Sequence, residues 1–96
     1  MSHTNKKKLN QIRIRLDKLD KDLLKLIKKR SSLVNEVLKI KIYKKEIIDQ
    51  KRINFILKKI KKKSTQMNID PKISNRIWKN MIWSFIDYEK RNFKKK

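Results

Sequence analysis

The sequence contains no cysteine and no glycine, and only one proline and one histidine among its 96 residues. Without cysteine there is no disulfide framework, and with His3 alone in a polar N-terminal stretch a metal clip is all but excluded. Zero glycine removes every phosphate loop, dinucleotide fingerprint and nucleophile elbow built on glycine turns, because those need positive φ or very close backbone approach. No apolar run approaches the ~18 residues of a membrane span, and the N-terminus, Met1-Ser2-His3-Thr4-Asn5-Lys6-Lys7-Lys8, has no apolar signal core. The expectation is a soluble cytoplasmic protein with no membrane partner.

Acidic residues are also scarce. Nine Asp+Glu face thirty Lys+Arg, a net charge of +21 that attracts anions: nucleic acid, acidic membranes or small polyanionic metabolites. Arginine occurs only at positions 13, 15, 30, 52, 76 and 91, and lysine fills the other basic positions. Against that background an arginine in an unusual place is informative, since lysine cannot reproduce its planar two-pronged grip on a carboxylate.

What the chain does have is helical periodicity. From Leu9 to Ile42 apolar residues recur at spacings of three and four with no proline or glycine between them, which predicts one long amphipathic helix. One heptad stripe reads Leu9, Leu16, Leu23, Arg30, Val37, and its companion reads Ile12, Leu19, Leu26, Leu33, Ile40. The exception in this seam is Arg30, whose guanidinium would cost several kcal/mol if buried there without a partner. The bordering stripe, Arg13, Asp20, Ile27, Val34, Lys41, adds two more cations to the edge.

The pattern breaks between Ile42 and Ile48, after which Asp49 is placed to cap a second helix by accepting from the backbone N–H near Arg52. Ile53, Ile56, Leu57 and Ile60 form that helix's apolar face. A polar connection leads to Asp70-Pro71, an N-cap followed by proline at the first helical position. The third helix then carries Ile73, Ile77, Trp78, Met81, Ile82, Phe85 and Ile86 on one face. The chain is read as a single domain over 1–96, with 1–8 and 93–96 as basic frayed tails.

A rod of roughly 55 Å cannot be the centre of a compact 96-residue monomer, and so small a chain buries only about 60–65% of its unfolded surface. The fold class expected is therefore all-α: three helices with one long N-terminal helix, paired with a second copy as an intertwined helical homodimer.

The run Leu16-Asp17-Lys18-Leu19-Asp20-Lys21-Asp22-Leu23-Leu24-Lys25-Leu26-Ile27-Lys28-Lys29-Arg30, followed by Val37, Lys41, Asp49-Gln50-Lys51-Arg52, Asp70-Pro71 and Arg76-Ile77-Trp78, resembles the all-helical, AroQ-type chorismate mutase domain. The resemblance spans roughly Leu9 to Glu89. It implies an isomerase of aromatic amino acid biosynthesis in the shikimate pathway, converting chorismate to prephenate by a Claisen rearrangement without metal or cofactor. Such a reaction needs a compact dianion held in a reactive chair and donors aimed at the ether oxygen, where negative charge grows.

Carried over by position, the resemblance implies that Arg30 grips one substrate carboxylate while Arg13 reaches in from the other subunit. By the same resemblance Lys41 donates to the ether oxygen and a carboxylate, Arg52 completes the cationic wall, and Asp49 fixes the helix start near the ring hydroxyl. Glu89 falls where relatives place Gln or Glu as a second donor to the ether oxygen, a role a glutamate fills only when protonated. Two positions depart from the pattern. Ile53 stands where many relatives have a glutamate for the ring hydroxyl, and Phe85 stands where a small hydroxyl residue is common, with Ser84 one step earlier. Isochorismate pyruvate lyases, which share the fold, are the alternative within the family.

Other readings stand beside these. Arg30 in a seam also suits a register-setting polar residue that snorkels out or pairs with Glu36 or Asp20 of a partner helix. Arg13, Lys41 and Arg52 taken singly are ordinary solvated helix charges, and Glu89 an ordinary surface acid. A basic helical nucleic-acid-binding dimer accounts for the charge but not for the arginine in the seam, and the chain has no recognition signature for DNA or RNA.

Overall fold

The structure is a computed structural model and describes residues 2–94. It is built from helices alone among these residues: α1 (His3–Ile40), a short 3₁₀ turn (Lys44–Ile47), α2 (Gln50–Gln66) and α3 (Pro71–Asn92). The all-α, three-helix class expected from the periodicity is the class observed. Contacts divide the chain into two compact units, one ending at Leu33 and the other beginning at Val34.

The first unit is helical from His3, earlier than the Leu9 start the periodicity suggested. The reason is local. The Ser2 hydroxyl accepts from the Asn5 backbone N–H at 3.1 Å, and the Ser2 carbonyl accepts from the Lys6 N–H, which satisfies two donors at the start of the helix. Both heptad stripes lie on α1 as expected, yet no residue of α1 is buried. Leu26 and Leu33 are 59% and 62% exposed, and Ile40 is 77% exposed.

The second unit holds the core. Ile47 from the 3₁₀ turn, Ile53 from α2, and Ile82 and Ile86 from α3 pack together, with Ile56, Leu57 and Phe93 partly buried against them. The chain reaches this arrangement through a run of well-capped ends. The Tyr43 N–H donates to the Glu46 carboxylate at 3.0 Å, which closes the 3₁₀ turn. Asp49 Oδ1 accepts from the Arg52 N–H at 3.0 Å and starts α2, as the sequence pattern predicts. Asp70 accepts from the Lys72 N–H at 2.9 Å beside Pro71 and starts α3.

Between α2 and α3 the absence of glycine has a visible consequence. Asn68 takes the left-handed conformation, φ 58°, that glycine commonly supplies after a helix. The Asn68 N–H then reaches the Thr65 carbonyl at 3.2 Å and the Ile69 N–H reaches the Ser64 carbonyl at 2.8 Å, the paired bonds of a Schellman ending.

The α2–α3 packing also encloses a polar contact the sequence pattern did not reveal. The hydroxyl oxygens of Ser64 and Ser74, 4% and 5% exposed, lie 2.6 Å apart, and Ser64 also reaches the Ile60 carbonyl at 2.7 Å. Removing one hydroxyl leaves the other buried with a lost partner. Each single alanine substitution, Ser64→Ala or Ser74→Ala, is expected to cost about 1–2 kcal/mol. The double substitution should cost less than the sum of the two, measured by urea unfolding followed by circular dichroism. Strict additivity would mean that the two hydroxyls do not interact.

Candidate functional site

The candidate residues of the second unit come from three elements. Lys41 lies just past α1, where its backbone N–H still bonds the Val37 carbonyl at 3.2 Å. Its ammonium reaches Glu89 Oε1 on α3 at 3.0 Å, across 48 positions of sequence. This is a shielded pair: the Lys41 side chain is 17% exposed and that of Glu89 7%. Glu89 is thus no surface acid, and it belongs to the same face of α3 as the buried Ile82 and Ile86. Beside it, the Tyr88 hydroxyl donates to Asn35 Oδ1 at 2.8 Å, which ties the last turns of α1 to α3 at the level of the ion pair.

Asp49 and Arg52 occupy the exposed first turn of α2. Asp49 spends its carboxylate on the cap, and by doing so sets the position from which the Arg52 side chain departs. The Arg52 guanidinium carbon lies 5.4 Å from the centre of the Phe55 ring. Phe55 is a residue that sequence reasoning passed over, since it falls off the apolar face and marks no motif.

Of the two positions that depart from the resembled pattern, Ile53 and Phe85, the second is half-buried on α3. Ile53 is 7% exposed and belongs to the apolar core of the second unit. The Ser84 hydroxyl is turned back to the Asn80 carbonyl at 2.7 Å, an exposed bond within its own helix. Trp83 is half exposed.

In the first unit, Arg30 is half-buried and Arg13 exposed, both on α1. Seventeen residues of helix separate them, about 25 Å along the axis. One small ligand cannot touch both arginines of a single chain.

In chemical terms the second unit offers a partly shielded ammonium with a carboxyl group beside it, and a guanidinium in the first turn of α2. Each cation can hold a carboxylate or direct hydrogen-bond donors at a polar atom. Among the described residues no group of three or more His, Cys, Asp or Glu side chains is arranged to hold a metal ion. No helix among them is long and apolar enough to cross a membrane.

The family model for chorismate mutase type II matches residues 12–90. The chain is also 36% identical over 76 residues to a chorismate mutase of Methanocaldococcus jannaschii, a match covering 78% of this chain and 77% of that protein. No solved structure matches.

The ion pair makes a stability prediction. Lys41→Met leaves the Glu89 carboxylate in its shielded place without its cation, and should destabilise the chain by at most about 3 kcal/mol at neutral pH. The double substitution Lys41→Met/Glu89→Gln should recover most of that loss, as urea midpoints for the three chains would show. An equal loss in the double variant would assign the effect to packing.

Proposed function

Since the chain belongs to the chorismate mutase type II family, we propose that it is a chorismate mutase, rearranging chorismate to prephenate in the cytoplasm as a homodimer with two shared sites. The observation that carries this reading is the partly shielded Lys41 ammonium, held at 3.0 Å from Glu89 at the edge of the second unit's core. A cation kept in such a place is well suited to a substrate that is itself a dianion and develops negative charge on an ether oxygen.

The reaction is an isomerisation in which one C–O bond breaks as one C–C bond forms, so it calls for no nucleophile, metal or redox group. The protein's contribution is to hold the folded dianion and to stabilise the charge that grows on the departing oxygen. In this reading Arg30 clamps one carboxylate, with Arg13 of the second copy completing the grip. Lys41 turns from Glu89 toward the ether oxygen and a carboxylate. Arg52 supplies the cationic wall, and Asp49 holds the start of α2. Glu89, when protonated, adds a second donor to the ether oxygen.

The dimer rests on two features. The apolar stripes of α1 are uncovered in the single chain, and Arg13 and Arg30 lie too far apart on one helix to serve one small substrate. A second α1 packed along the seam answers both.

Ile53 supports a second reading within the fold. Its side chain is packed in the apolar core, so this position of α2 offers no acceptor for a ring hydroxyl. That suits an isochorismate pyruvate lyase, whose substrate carries the hydroxyl elsewhere on the ring. Incubation with chorismate and with isochorismate, at pH 5.5 and 7.5 with product identification, separates the two. Prephenate from chorismate is the expected result. Salicylate and pyruvate from isochorismate, with chorismate nearly untouched, would replace the mutase by the lyase.

Arg30→Ala should lose on the order of 3–4 kcal/mol of transition-state stabilisation, read as kcat/KM, while the protein stays folded. Arg13→Ala and Arg30→Ala, each inactive alone, should regain about one quarter of the parental specific activity when mixed and allowed to exchange subunits. Random pairing makes half the dimers mixed, and each mixed dimer has one intact site of two. No recovery would contradict the shared site.

A further inference from the structure

Phe55 has a place in the structure that its packing does not explain. Its ring is 54% exposed, so it adds little to the core. Two cations nevertheless converge on it: the Arg52 guanidinium carbon at 5.4 Å from the ring centre and the Lys59 ammonium at 5.8 Å. The three residues occur at i, i+3 and i+7 on α2, one stripe of the helix surface. Attraction of a guanidinium to the negative face of an aromatic ring orders a side chain that would otherwise sample many rotamers in solvent.

We infer that Phe55 is a positioning residue for substrate binding, holding the Arg52 guanidinium at the start of α2 so that its N–H donors are ready for a substrate carboxylate. The inference rests on the mutase reading. Two contacts fix Arg52 at its two ends: the Asp49 carboxylate holds its backbone N–H at 3.0 Å, and the Phe55 ring holds its head group. A ring face has no carboxylate-like acceptor to saturate the fork of N–H groups, so the donors stay available for a planar, two-pronged grip. Ordering the side chain before the substrate arrives lowers the entropy lost on binding. The contribution is therefore to affinity, with the chemical step untouched.

Steady-state kinetics with chorismate test this on the 96-residue chain. Phe55→Leu removes the π face while keeping an apolar side chain at an exposed position. It should raise KM about two- to fivefold, the size of an exposed cation–π contact, with kcat and the thermal midpoint unchanged. Phe55→Trp, which presents a stronger face, should restore the parental KM or lower it. In an Arg52→Ala background Phe55→Leu should have no further effect on KM, because the group being positioned is gone. The Arg52 side-chain proton resonances should also lose their ring-current shift in Phe55→Leu.

If KM is unchanged or lower in Phe55→Leu, or if the same loss appears in the Arg52→Ala background, the positioning role is overturned while the mutase reading stands. If the parental chain converts no chorismate at all, the mutase reading fails first and the positioning role fails with it.

Discussion

The long first helix presents a double stripe of aliphatic side chains and buries none of them. Apolar burial is the main favourable term in folding, and a chain of this size has little of it to spare. The described core is small, four isoleucines with three partly buried neighbours, all in the second unit. The remaining apolar surface lies mostly on α1, in a register regular enough to suit a rod of the same kind. In the proposed reading a second copy covers this surface. The functional reading depends on this constraint, because the seam that asks for a partner is also the seam that contains Arg30.

A cation in such a seam is a poor way to gain stability and a good way to hold an anion. The second unit has the same economy of parts. Lys41 and Glu89 satisfy each other when no substrate is present, so neither group is left without a partner in its shielded place. In the proposed reading a dianionic substrate takes over that ammonium, and the surplus of positive charge across the sequence favours its approach. Chemistry of this kind asks only for position and charge. A chain without cysteine or glycine, with its one histidine in the N-terminal stretch, can supply both.

Much of the fold was legible because it is written in periodicity and in end signals. The 3-4 spacing of Leu9 through Ile42 marked α1, Asp49 marked the start of α2 and Asp70-Pro71 the start of α3, since each is a local rule with a local cause. The early start of α1 was missed because a single Ser2 cap outweighed a run of lysines. Asn68, Ser64 and Ser74 act through backbone twist or helix crossing, and neither leaves a repeating trace in sequence. The candidate site was legible only in part. Arg30 stood out as a cation in an apolar register, but Glu89 had no sequence signal apart from resemblance. Its meeting with Lys41 spans 48 positions and is set by the packing of α3. Phe55 left no pattern, because its role is defined by the two cations it faces.

In the proposed reading the active unit is two chains joined along α1. The most direct measurement follows sedimentation mass and specific activity toward chorismate together across a dilution series. Twice the 11.8 kDa chain mass is expected at high concentration, with activity per chain falling in step as the dimer dissociates. A species of 11.8 kDa that keeps full activity per chain would contradict it.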